Sequence, residues 1–205
     1  MWNIFNKKAA DGPLTPAEET LVAWGIKYKK LEDGSLYVKG DVNLSYRNLT
    51  QLPDLSTVTV GGSFNCSDNK LASLEGAPKA VGKDFMANSN HQLKSLKGAP
   101  QTVGGDFYVV YTGLNDLIGA PQSVGKSFNC NSSPLKSLEG LSPNVGGSVN
   151  TDFGNFPSRR AVRKDLLASS TPAPAAPVPP AAADDGTVLQ QPVTVGKPLT
   201  LNQNP

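Results

Sequence analysis

The chain of 205 residues repeats itself every 21 or 22 positions, and that period decides what it can fold into. Successive units open with Gly61-Gly62-Ser63-Phe64, Gly82-Lys83-Asp84-Phe85, Gly104-Gly105-Asp106-Phe107, Gly125-Lys126-Ser127-Phe128 and Gly146-Gly147-Ser148-Val149, spaced 21, 22, 21 and 21 residues apart. Mid-unit, two leucines stand three apart, as Leu71 and Leu74, Leu93 and Leu96, Leu114 and Leu117, Leu135 and Leu138. A Gly-Ala-Pro turn follows at Gly76, Gly98 and Gly119, altered to Gly140-Leu141-Ser142-Pro143 in the last unit. Each unit closes on a valine before the next glycine: Val60, Val81, Val103, Val124, Val145. A looser first unit sets Val42, Leu44, Leu49 and Leu52 22 residues ahead of Phe64, Cys66, Leu71 and Leu74.

Such a unit is too short for a strand-helix-strand crossover and cannot bury its own apolar face, so neighbours must stack. Phe64-Asn65-Cys66 alternates inward, outward, inward, as a short strand does, with parallel partners about 4.8 Å away in the adjoining coils. The predicted fold is a β-rich solenoid of parallel coils over residues 36–157. Twenty glycines and 17 prolines suit its frequent corners.

The run Phe64-x-Cys66-x-x-Asn69-x-Leu71-x-x-Leu74 resembles the leucine-rich-repeat signature. The phrase from Asn69 to Gly82 is similar to the degenerate leucine-rich repeats of many tailed-bacteriophage proteins, and the likeness covers about residues 36 to 157. The resemblance implies an asparagine in each unit whose side chain bonds the backbone of the turning coil. Asn69 and Asn90 stand there, but Arg47, Thr112, Ser133 and Gly154 occupy the equivalent places, which predicts distortion of the later coils. The extra residue near His91 predicts an outward bulge.

Residues 1–35 read as an N-terminal arm with a helix and hairpin that cap the stack. Thr15-Pro16-Ala17-Glu18 has the form of a capping box, Leu21, Val22 and Trp24 give the helix an apolar side ending at Gly25, and Asp33-Gly34 breaks a hairpin over 26–38. Residues 158–168 read as a short basic helix. The Pro/Ala-rich stretch 169–186 reads as a linker favouring polyproline II. Residues 187–205 regain β propensity and read either as a docking peptide that adds a strand to another chain or as a disordered tail.

Chemistry is sparse. Charge is balanced over 1–35 and over 36–157, and the net +2 arises from Arg159, Arg160, Arg163 and Lys164, too short a basic run to predict nucleic-acid binding. No apolar run has the length of a membrane span, and Met-Trp-Asn-Ile-Phe-Asn-Lys-Lys lacks the apolar core of a secretory signal, which predicts synthesis without one. His91, the single histidine, has no acid or nucleophile at a repeat-compatible spacing, and Cys66 and Cys130 sit three coils apart, about 14 Å, as small core residues. No catalytic residue, metal or cofactor is expected. A polar ladder of Asp41, Ser63, Asp84, Asp106, Ser127 and Ser148 precedes the inward strand positions, either to bind a cation or peptide or simply to be solvated.

Asn43, Asn65, Met86, Tyr108, Asn129 and Asn150 are expected on the outer sheet surface, where Tyr108 and nearby Tyr111 are the candidate partner contacts. Trp2, Ile4 and Phe5 at one end, and Val188, Leu189, Val193, Val195, Leu199 and Leu201 at the other, are the candidate anchoring residues of the arms. Together with the resemblance, these features imply a non-enzymatic structural protein on a phage virion, assembled in the host cytoplasm as a decoration or cementing subunit whose partners are virion structural proteins. The alternative is a recognition protein of the host cytoplasm that binds a host protein through the sheet face.

Overall fold

The computed structural model describes residues 13–167. Its first element is helix α1, Pro16–Ala23, opened by the expected capping box: Thr15 Oγ1 accepts from the Glu18 N–H at 3.3 Å, and Glu18 Oε2 accepts from the Thr15 N–H at 2.9 Å. Ala17 and Leu21, one turn apart, face the core, whereas Val22 is exposed; the buried stripe is narrower than the run of apolar residues suggests. Strand β1, Lys29–Lys30, then pairs antiparallel with β2, Leu36–Val38, across a turn containing Asp33 and Gly34.

From β2 onward each coil places one short strand in each of two sheets. After β3 (Val42–Asn43), β4 (Val58–Val60) and β5 (Phe64–Asn65) come β6 (Ala80–Val81), β7 (Phe85–Met86), β8 (Thr102–Val103) and β9 (Phe107–Tyr108). The stack finishes with β10 (Ser123–Val124), β11 (Phe128–Asn129), β12 (Asn144–Val145), β13 (Val149–Thr151) and β14 (Gly154–Phe156). The first sheet has the order β1-β2-β4-β6-β8-β10-β12 and the second β14-β13-β11-β9-β7-β5-β3. All neighbours are parallel except the end pairs β1–β2 and β13–β14. The fold is the β-rich solenoid expected from the period. The valines read as the close of each unit are themselves strand residues, so a coil has two strands where the alternation in Phe-x-Cys pointed to one.

The coil is triangular in its bonding. The first-sheet strand meets a glycine corner, the second-sheet strand follows, and a left-handed turn then delivers the Leu-x-x-Leu segment that returns over the core. That turn falls on Tyr46, Asp68, Ser89, Tyr111 and Ser132, each with φ between 55° and 57°. The corner needs glycine because of stacking: a Cβ on Gly104 would collide with the carbonyl oxygen of Gly82 in the coil before. At Gly98 φ is +86° and a Cβ would lie 2.6 Å from the Leu74 carbonyl oxygen, so both conformation and space demand glycine.

Burial follows the period. Phe64, Phe85, Phe107 and Phe128 form a column inside the second sheet, with ring centroids 5.5, 5.2 and 5.0 Å apart; the first two pairs are stacked and the third is tilted by 35°. Each such contact adds about 0.5–1.5 kcal/mol beyond burial of the rings. The paired leucines lie on the third side; of these, Leu71, Leu74, Leu93, Leu96, Leu114, Leu117 and Leu138 are fully buried.

The asparagine positions explain how irregular units still stack. Asn69 Nδ2 donates to the carbonyls of Leu44, Cys66 and Ser67, and its Oδ1 accepts from the Arg47 and Leu49 amides. Asn90 repeats the pattern toward Cys66, Ala87 and Asn88, accepting from the Leu71 amide. In the next two coils Thr112 and Ser133 share a 2.8 Å bond and both reach the Val109 carbonyl. Parallel pairing continues unbroken through these coils, so the distortion expected from losing asparagine is absent there. The additional residue of the Asn90 coil is absorbed in an exposed turn at His91 and Gln92.

After β14 a 3-10 turn, Arg159–Ala161, leads to helix α2, Lys164–Leu167. Val162 and Leu166 are buried, the Leu138 amide donates to the Leu166 carbonyl at 2.6 Å, and Arg159 Nε donates to the Ser142 carbonyl. The basic segment thus contains two short turns of helix separated by Val162, whose backbone is extended.

Candidate partner-binding face

The outer surface of the second sheet is a flat grid because its strands are in register. Asn43, Asn65, Met86, Tyr108, Asn129 and Asn150 stand in one row along the solenoid axis, each opposite the next. At the far end of the row Asn150 Nδ2 donates to Asn129 Oδ1 at 2.6 Å. Met86 and Tyr108, adjacent and half-buried, are its apolar middle.

Beside that row runs the polar ladder, and its geometry gives it a job within the fold. Asp41 Oδ1 accepts from the Ser63 amide at 2.7 Å, Asp84 Oδ1 from the Asp106 amide at 2.9 Å, and Asp106 Oδ1 from the Ser127 amide at 2.8 Å. Ser63 Oγ accepts from the Asp84 amide, and Ser148 Oγ bonds Ser127 Oγ. Asp41, Ser63, Asp84 and Asp106 each satisfy a corner amide of the following coil, and Ser127 and Ser148 join hydroxyl to hydroxyl, so the ladder clamps coil to coil. Half-burial, then the nearby charges of Asp106 and Asp84, push the Tyr108 phenol above its ordinary range.

Tyr111 lies on the left-handed turn of the same coil, 57% exposed, and so stands on the margin of the face. Tyr46, 80% exposed, occupies the same turn at the first coil, and Phe153 projects where the turn would recur at the last. The period relates these aromatic residues; Tyr111 is evident in the sequence by its nearness to Tyr108, whereas Tyr46 and Phe153 are not, because a turn has no inward and outward alternation.

The first sheet presents a different surface. Thr59, Ala80, Thr102 and Ser123 line a shallow groove of about 490 Å³, walled at one end by Tyr37 and floored by the corner glycines. Cys66 and Cys130 are free and buried; burial pushes both thiols up, that of Cys130 to about 12, so neither is a nucleophile at neutral pH. Among the described residues no helix is long and apolar enough to cross a membrane. Trp2, Ile4, Phe5, Val188, Leu189, Val193, Val195, Leu199 and Leu201, with the linker 169–186, lie outside the described residues. Compared with known proteins, the chain matches no protein family, no curated protein and no solved structure.

Proposed function

We propose that the protein is a non-enzymatic structural and interaction protein, a body that holds other protein chains, and that it serves on a tailed-phage virion as a decoration or cementing subunit anchored by its terminal arms. The observation that supports the interaction role is the register-locked outer face of the second sheet, where Met86 and Tyr108 form an apolar centre amid asparagine and serine. The virion setting rests on the resemblance of residues 36–157 to phage leucine-rich repeats, and the anchoring role on the spacer composition of 169–186.

The test is co-sedimentation with purified particles, after mass spectrometry of those particles for the intact chain. Removal of residues 169–205 is expected to leave a folded body that no longer pellets with the particle. A second reading, recognition of a host protein through the sheet face, draws on the position of Tyr108 at the centre of that face. Under it, Tyr108→Ala abolishes binding while the truncation leaves it intact.

A further inference from the structure

The outer face of the second sheet is a narrow strip whose polar groups are already fixed. Two outward rows, Met86 and Tyr108 with Asn88 and Val110 two residues on, make it about 10 Å wide, and six parallel strands make it about 25 Å long. At about 250 Å² it is far smaller than the about 800 Å² that each partner buries in a stable protein interface. An extended chain fits such a strip, but a peptide strand finds no backbone to pair with there, because the Phe107 and Val109 amides donate to the next coil. Each polar side chain around Tyr108 is held by one bond to the fold and keeps a second group for a ligand. Asn65 Oδ1 accepts from the Ser67 amide, Asn88 Oδ1 from the Val110 amide and Asn129 Oδ1 from Asn150 Nδ2, which leaves three Nδ2 donors. Asp84 and Asp106 each bind a corner amide through Oδ1, which leaves Oδ2 as an acceptor. Tyr111 is an independent sign. It stands 57% exposed on the left-handed turn, at a φ of 57° that disfavours a bulky side chain, whereas the neighbouring coils place Ser89 and Ser132 there. Serine makes the turn as well, so the ring at 111 serves something outside the fold.

We propose that this strip, centred on Tyr108 and Tyr111, binds a linear neutral polysaccharide laid along the solenoid axis. Pyranose rings pack their C–H faces on the phenol rings, and their hydroxyls, which both donate and accept, meet the fixed amides and carboxylates. A β-linked chain advances by roughly one coil, about 4.8 Å, per ring, so successive rings meet successive coils. The carboxylates of Asp84 and Asp106 turn away phosphate, sulfate and uronate chains. The inference rests on the reading of this face as an interaction surface and leaves the anchoring by the arms as it stands.

The experiment titrates the full-length chain with cellohexaose, mannohexaose, xylohexaose and chitohexaose by calorimetry, with hexagalacturonate as the anionic control. At least one neutral hexaose is expected to bind, and the uronate is not. Within the series that binds, affinity is expected to rise with length up to four rings, one for each coil from Asn65 to Asn129, and then to level off. Tyr108→Ala is expected to weaken binding about tenfold or more. Tyr111→Asn is expected to weaken it by a similar factor while raising the urea midpoint, because asparagine accepts the left-handed turn; a lower midpoint overturns the assignment of Tyr111. Absence of binding to all of the neutral hexaoses overturns the proposal, as does binding that both variants leave unchanged. A protein partner released by Tyr108→Ala, with no hexaose bound, overturns the polysaccharide and keeps the face as an interaction surface. A chain with no partner of either kind sensitive to Tyr108→Ala overturns both readings of the face.

Discussion

At the scale of the residue, the fold depends on side chains that replace missing backbone partners. Asn90 is fully buried and serves three carbonyls and one amide, so Asn90→Ala strands several polar groups where water cannot reach. With each unsatisfied group costing about 1–3 kcal/mol, the variant is expected to lose about 3 kcal/mol or more, read as a lower urea midpoint. Thr112→Ala removes the bonds to Val109 and Ser133 and is expected to cost less, about 1–2 kcal/mol. A change at Asn90 no larger than that of an outward Asn129→Ala control would show that the column is ornamental. Asn69 and Asn90 were legible through the resemblance to leucine-rich repeats, which implies an asparagine at that offset bonding the turning coil. Thr112 and Ser133 were not, because it takes the geometry to show that two short hydroxyl side chains jointly do what one amide does.

At the scale of the element, legibility tracks visible alternation and capping chemistry. Strands of both sheets are two or three residues long, but Phe-x-Cys carries its inward, outward, inward pattern one residue past the strand, whereas Ala80–Val81, Thr102–Val103 and Ser123–Val124 offer a single inward valine ahead of a glycine corner, so the first sheet was hidden behind valines that looked like punctuation. The capping box was legible because its two members are local; its tie to the hairpin was not. Glu18, 4% exposed, also accepts from Lys30 Nζ at 3.3 Å, joining α1 to β1. Burial pushes the Glu18 carboxyl up, but the bonds from Thr15 and then Lys30 outweigh it and hold the group below the usual carboxylate range. A depressed folded value means stability that is complete above the unfolded value, about 4.3, and lost as pH falls through the folded one. On acidification the Trp24 and Ile26 amides, which bond Thr20 and Leu21, are therefore expected to lose exchange protection in a step that Glu18→Gln removes. A step that persists in Glu18→Gln would assign it to another group. Thr15→Ala, acting on the same box, is expected to cost about 1 kcal/mol at neutral pH.

At the scale of the molecule, each coil contacts only its neighbours, so one coil is a removable unit. Excision of residues 104–124 joins Val103 to Gly125, restoring the Val-Gly junction found at every other corner. The inward column then runs Phe64, Phe85, Phe128, and the Asp84 carboxylate, which accepts from the Asp106 amide in the intact chain, meets the Ser127 amide that Asp106 otherwise serves. Stability of such a stack is approximately the sum of coil and interface contributions, and the excision removes one of each while leaving both ends covered as before. The shortened chain is expected to fold with the same circular dichroism per residue and a lower melting temperature. Excision of residues 104–113, which cuts within a coil, is expected to abolish folding, because it deletes Phe107 and its strand while leaving Leu114 and Leu117 behind, out of phase with their neighbours. Equal damage from the two excisions would mean that cooperativity spans the whole solenoid and that the period is a record of its origin without being the unit of its stability.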